Sequence, residues 1–215
     1  MLQSAIFLWY KLLSLFHKGK KSMPPILPML AYTFAMSLSP GPVNILCASY
    51  GNNEGFWKTQ RFILGACLGF VSLTFAMGLG LNELASRYPS IIESLKVLGA
   101  MYLIYLGYTI ARSSKDLSVK NANKSSFAKG LLLQWCNPKA WIGSMVGLAS
   151  FGDNSFASLA LFATVYLVVT WICLSTWSFI GDKISKFLST AKQEMAFNCS
   201  LGASLVLTAF YVLSK

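Results

Sequence analysis

Four stretches of this 215-residue chain contain no Asp, Glu, Lys or Arg: residues 22–53, 62–82, 154–181 and 195–214. Each exceeds the roughly 18 apolar residues that a helix needs to cross a hydrocarbon layer about 30 Å thick. Such a layer supplies no hydrogen bonds, so the backbone has to satisfy itself, and a chain with helix-length apolar runs does so as α-helices. Charged residues make up only 12% of the chain, half of the roughly 25% found in soluble domains. The fold class expected is an all-α polytopic membrane protein.

Hydropathy in helix-length windows gives six spans, near residues 26–50, 62–82, 91–111, 128–151, 156–180 and 195–213. The connections are too short for a second domain, so residues 23–215 form a single six-helix domain. Basic residues collect in alternate loops: Lys58 and Arg61, then Arg112, Lys115, Lys120, Lys124 and Lys129, then Lys183, Lys186 and Lys192. Short cytoplasmic loops concentrate Lys and Arg, so these three face the cytoplasm and both ends of the six-span core lie outside. The same rule accounts for the net charge of +11 without a nucleic-acid partner. Residues 1–22 fit less simply, because Lys11, Lys18, Lys20 and Lys21 would fall on the outer face. This extension is either an amphipathic interfacial helix or a segment upstream of a natural start at Met23.

Two clusters of helix-breaking and polar residues lie inside spans. Span one reads Met36-Ser-Leu-Ser-Pro-Gly-Pro-Val-Asn44, and span four reads Leu133-Gln-Trp-Cys-Asn-Pro-Lys139. Pro40, Pro42 and Pro138 each remove a backbone donor and crowd the preceding turn, and Gly41 frees the chain from helical geometry. A lone proline-bearing span is explained equally well by a packing kink. Breaks at corresponding positions in spans one and four, however, are the pattern of a 3+3 inverted repeat with a substrate site between its halves.

Lys139 follows Pro138 in the middle of span four, where a lysine costs roughly 2.5–3.5 kcal/mol on insertion scales. It either faces a polar cavity or snorkels to an interface. In a cavity its ammonium would be unpaired, since no acidic residue lies deep in any span. With the amides of Asn44, Gln134 and Asn137 and the positive ends of half-helices, it suits a carboxylate. Opposing carbonyl ends suit an ammonium. Amino-acid zwitterions satisfy both.

Other chemistries find little in the sequence. The five cysteines, Cys47, Cys67, Cys136, Cys173 and Cys199, are scattered singly, and the only histidine, His17, lies outside the spans. No metal set, cofactor motif or paired intramembrane carboxylates are present, so no cofactor and no enzymatic activity are expected. Glycines such as Gly65, Gly69, Gly99 and Gly107 read as helix-packing positions.

The chain resembles the lysine-exporter superfamily of amino-acid efflux proteins (LysE/RhtB type). The resemblance is carried by Ser39-Pro-Gly-Pro42, Asn44-Ile-Leu46, Gly65-Ala-Cys-Leu-Gly69, Leu98-Gly-Ala-Met-Tyr-Leu-Ile-Tyr-Leu-Gly107 and Asn137-Pro-Lys-Ala140. It departs from the pattern at Val43, where the family often has Asn directly after Pro-Gly-Pro. The resemblance implies proton-driven export of amino acids from the bacterial cytoplasm across the inner membrane, nearest to the subgroup exporting cysteine and O-acetylserine. The competing reading is a membrane thiol-disulfide carrier using Cys47 and Cys136. Work as a monomer and as a homodimer are equally compatible with the sequence.

Overall fold

The computed structural model describes residues 26–81, 87, 89–112, 124–152, 155–188 and 190–214. Residues 1–22, Met23, and the charged positions Glu83, Lys115, Lys120 and Asp153 lie outside these. Among the described residues the fold is helical throughout, with no strand. In chain order the helices are α1 (Ile26–Leu38), α2 (Pro42–Glu54), α3 (Phe56–Ala76), which continues into a π-helical turn over Met77–Leu81, α4 (Pro89–Ala111), α5 (Phe127–Trp135), α6 (Pro138–Phe151), α7 (Phe156–Phe187) and α8 (Ala191–Leu213).

Three helices are long and apolar enough to cross a membrane: Phe56–Gly80, Phe156–Phe187 and Ala191–Leu213. The other expected spans look different, for identifiable reasons. The first is split into α1 and α2 around Ser39-Pro-Gly, and the fourth into α5 and α6 around Cys136-Asn137. In the third, the apolar part of α4 is only Val97–Ala111. Hydropathy also clipped helix ends. α3 begins at Phe56, α7 runs on to Phe187 and α8 begins at Ala191, because interfacial residues such as Lys58, Lys183 and Lys192 remain helical outside the apolar stretch.

The termini have ordinary physical causes. Ser126, Ser155 and Thr190 cap α5, α7 and α8 by accepting from backbone N–H groups three residues on, and Thr190 with Gln193 completes a reciprocal capping box. Gly55, at φ 88°, is the one residue between α2 and α3, a left-handed conformation that other residues adopt only with strain. The Glu54 carboxylate, ending α2, accepts from Ser125 N (2.5 Å) and Ser125 Oγ (2.8 Å), fastening it to the start of α5.

α2 is the centre of the bundle, and every residue from Pro42 to Asn52 is buried. It packs on α7 and α3, and also touches α8 and α5, while α3 packs on α5 and α4 on α8. Three of these crossings are closed by glycines in pairs: Gly51 with Gly181, Gly65 with Gly130, and Gly107 with Gly202. A Cβ at any of the six would overlap a backbone carbonyl of the facing helix. Large apolar residues such as Leu27, Leu79, Leu207 and Phe210 point outward, as a lipid-facing surface requires.

The core divides in two. One apolar cluster includes Leu46, Phe62, Leu103, Leu133 and Leu205. The other includes Met29, Phe70, Leu73, Phe162 and Tyr166. Gly130→Ala should force α5 away from α3 and cost about 1–3 kcal/mol by overpacking. Thermal unfolding of the purified variant in detergent should show a lowered midpoint beside wild type.

Candidate functional site

Where α1 stops, its last carbonyls have lost their helical donors, and within a bundle each must find another. The last helical bond runs from Ser39 N to Ala35 O (3.1 Å), and the structure finds a partner for every carbonyl after it, from Met36 to Ser39. Ser39 Oγ donates to Met36 O (3.0 Å). Asn44 Nδ2, from the first turn of α2, donates to Ser37 O (2.8 Å). Trp177 Nε1, from α7, donates to Leu38 O (3.1 Å). Lys139 Nζ, from the first turn of α6, donates to Ser39 O (2.6 Å).

The second break is closed locally. Asn137 is the N-cap of α6 and its Oδ1 accepts from Lys139 N (3.1 Å). Trp141 Nε1 reaches back to Trp135 O (2.8 Å), and Asn137 N donates to Gln134 O (3.2 Å). Asn137 Nδ2 lies 3.5 Å from Gln134 Oε1.

Between the breaks is a hollow of about 340 Å³, its open mouth included. All four side chains that the sequence proposes for substrate, Asn44, Gln134, Asn137 and Lys139, line it. Asn44, Gln134 and Asn137 are buried and Lys139 is half-buried. The break residues Pro40, Gly41, Pro42 and Pro138 shape its surroundings: Pro42 and Pro138 open α2 and α6 at their first positions, and no side chain caps α2. The positive end of the α2 dipole is therefore left open beside Val43 and Asn44, which line the cavity.

One expectation is refined and one changes. Lys139 has no acidic partner among the described residues lining the cavity, and the neutral Ser39 carbonyl holds its ammonium. Gly41 is not needed for an unusual backbone: at φ −167° and ψ 176° it is extended, a conformation open to any residue. Its contribution is space, since a Cβ there would lie 3.1 Å from Lys139 Cδ and 3.2 Å from Nζ.

The sequence reading missed the far wall. Ser37, Tyr166 and Thr170 line the cavity with Phe70. Ser37 Oγ and Thr170 Oγ1 are 2.8 Å apart, and the Phe70 and Tyr166 rings stack with centroids 3.7 Å apart. The available signal was the spacing of Tyr166, Thr170 and Leu174 four residues apart in α7, which sets them on one helix face. Cys47 is fully buried in the apolar cluster around α2, Cys136 is half-buried, and neither is among the residues lining the cavity.

Comparison with known proteins decides the family. The LysE type translocator family matches residues 34–215. The chain belongs to this family. Its members are translocators, not enzymes, so this is a multi-pass membrane protein that moves a small-molecule substrate. The chain is 31% identical over 132 residues to a cysteine/O-acetylserine efflux protein of Shigella flexneri serotype 5b, covering 60% of this chain and 67% of the relative. The proteins of the same description from Escherichia coli K12 and Klebsiella pneumoniae are 31% and 30% identical, over 56% and 57% of this chain. In both, the match spans 62% of the relative, less than two-thirds of its length. No solved structure gives a significant match.

Trp177 supports the first break from outside the cavity, so Trp177→Phe isolates the structural part of this network. Leaving the Leu38 carbonyl without its donor should cost about 1–3 kcal/mol. Chemical or thermal unfolding of the detergent-solubilised variant measures it.

Proposed function

We propose that this translocator exports small amino acids, of the cysteine and O-acetylserine class, from the bacterial cytoplasm across the inner membrane. The cavity carries the reading: an ammonium, three amide side chains and an uncapped helix start converge between two broken helices. Charge and dipole favour the cargo's carboxylate there. The adjoining carbonyl end of α1 and the Ser37–Thr170 hydroxyls offer acceptors for its other polar groups. The cargo class, and with it the size, follows from the names of the relatives.

The transport mechanism we propose is alternating access by a 3+3 inverted repeat of six spans, within one domain over residues 23–215. Taking α1–α2 and α5–α6 as the broken spans, the first packs on α7 and the fourth on α3, while α4 pairs with α8. Exchanging the halves turns the first contact into the second and returns the third to itself, the pattern an inverted repeat requires. One half rocks against the other about the breaks, and the proton gradient drives the cycle.

The test is efflux of a panel of labelled amino acids from cells or vesicles, with and without a protonophore. Wild type should release small polar amino acids selectively, and the protonophore should abolish accumulation against a gradient. Lys139→Ala should lower efflux about 10–100-fold, the effect of losing one charged hydrogen bond, and Asn137→Ala should lower it less. Unchanged efflux in both variants at normal expression would sink the assignment of the site.

A further inference from the structure

None of the described residues lining the cavity is acidic. An amino acid bound there therefore has no carboxylate to receive its ammonium group, and its acceptor has to be a neutral oxygen. The carbonyls at the end of α1 are the concentrated source. Four of them, from Ala35 to Leu38, are held by neutral donors: the Ser39 N–H and hydroxyl, the Asn44 amide and the Trp177 indole. These donors are part of the same turn, the first turn of the next helix, or a rigid ring. The Ser39 carbonyl is different. Its donor, at 2.6 Å, is the Lys139 ammonium, a charged group on a flexible four-carbon stem.

That donor is chemically an alkylammonium, the same group that an amino acid brings. We infer that the Ser39 carbonyl, which is not itself among the residues lining the cavity but adjoins it through Lys139, is the subsite for the substrate ammonium, and that Lys139 occupies it as a stand-in until substrate arrives. On binding, the substrate ammonium takes the Ser39 oxygen and Nζ turns to the substrate carboxylate beside the open start of α2. Both charged groups stay hydrogen-bonded and neither is left bare. Gly41 leaves room for the resting position, since a Cβ there would crowd both Cδ and Nζ and the stem would have to shift by a few tenths of an ångström.

The exchange selects for zwitterions. An amine lacking a carboxylate would displace Nζ into a cavity with no anion, and an N-blocked acid would draw Nζ away and strand the Ser39 carbonyl. This inference rests on the amino-acid reading above, and its test separates the two. Binding to the full chain in detergent is measured for four reduced thiols: L-cysteine, N-acetyl-L-cysteine, 2-aminoethanethiol, and thiocholine, whose quaternary nitrogen has charge but no N–H. Wild type should prefer L-cysteine over the other three by about tenfold or more.

In Lys139→Met the Ser39 carbonyl is vacant. L-cysteine should weaken by about tenfold or more while 2-aminoethanethiol tightens by a similar factor, and thiocholine should gain nothing. Lys139→Gln, which keeps a neutral and displaceable donor, should show the same ordering if the methionine variant fails to fold. An equal gain for thiocholine would reveal mere relief of charge repulsion and overturn the subsite. No gain for 2-aminoethanethiol in either variant, with L-cysteine still bound by wild type, overturns it as well and leaves the export reading standing. Wild type that binds no L-cysteine overturns both.

Discussion

A backbone carbonyl with no donor costs several kcal/mol inside a hydrocarbon layer, and α1 ends where four such carbonyls, from Met36 to Ser39, have to be satisfied. The donors found for them come from Ser39 itself, from α2, from α6 and from α7. A break of this kind is tolerable only once the bundle is assembled around it. Proline and glycine at residues 40–42 prevent a continuous helix, but what holds the chain in its broken form is the set of side chains that reach it from elsewhere. Two of these donors, Asn44 and Lys139, also line the cavity, so stability at this point and the capacity to bind a polar solute share residues.

The two breaks are closed in different ways. In the second, the donors to the Gln134 and Trp135 carbonyls lie three and six residues along the chain, and Asn137 caps α6 in place. In the first, the indole and the ammonium come from 139 and 100 residues away. Movement of α6 and α7 against α1 therefore leaves the second break intact and disturbs the first. The Ser39 and Leu38 carbonyls are the joint between the two parts of the bundle. Gly51 and Gly181, packed backbone to backbone at the α2–α7 crossing, set how closely those parts approach.

Much of this was legible in the sequence, unevenly. Charge-free stretches identified a helical membrane protein because hydrophobic transfer depends on composition over a window, and windows are local. The proline clusters identified both breaks for the same reason: ring geometry acts on adjacent residues. Asn44, Gln134, Asn137 and Lys139 stood out as polar residues in apolar surroundings, and they share one cavity. Ser37, Tyr166 and Thr170 did not, because hydroxyls inside apolar helices commonly bond to their own backbone, as Thr164 and Thr176 do here. Their part in the wall depends on which face of α7 meets α1, a tertiary fact. Gly65 and Gly107 were recognisable as packing sites, but their partners Gly130 and Gly202 lie in other helices and no local spacing links them. The role of Gly41 was misread for a related reason, since the sequence gives no hint that a lysine 98 positions along would lie across it.

Lysine rather than arginine at residue 139 follows from the same geometry. A guanidinium presents five donors in a fixed planar fork and suits bidentate oxyanions held permanently. The Ser39 carbonyl is a single oxygen approached past the bare face of Gly41, and it accommodates a compact ammonium with rotatable donors. A group that must leave one acceptor and meet another within a space of this size has to retain a hydrogen bond through the turn. An ammonium on four methylenes can do so because its three donors reorient about the terminal bond while the stem swings. A guanidinium would have to rotate as a rigid plate to do the same. The lysine is thus suited to a site whose charged partners change, and the glycine beneath it leaves room for the stem where it rests.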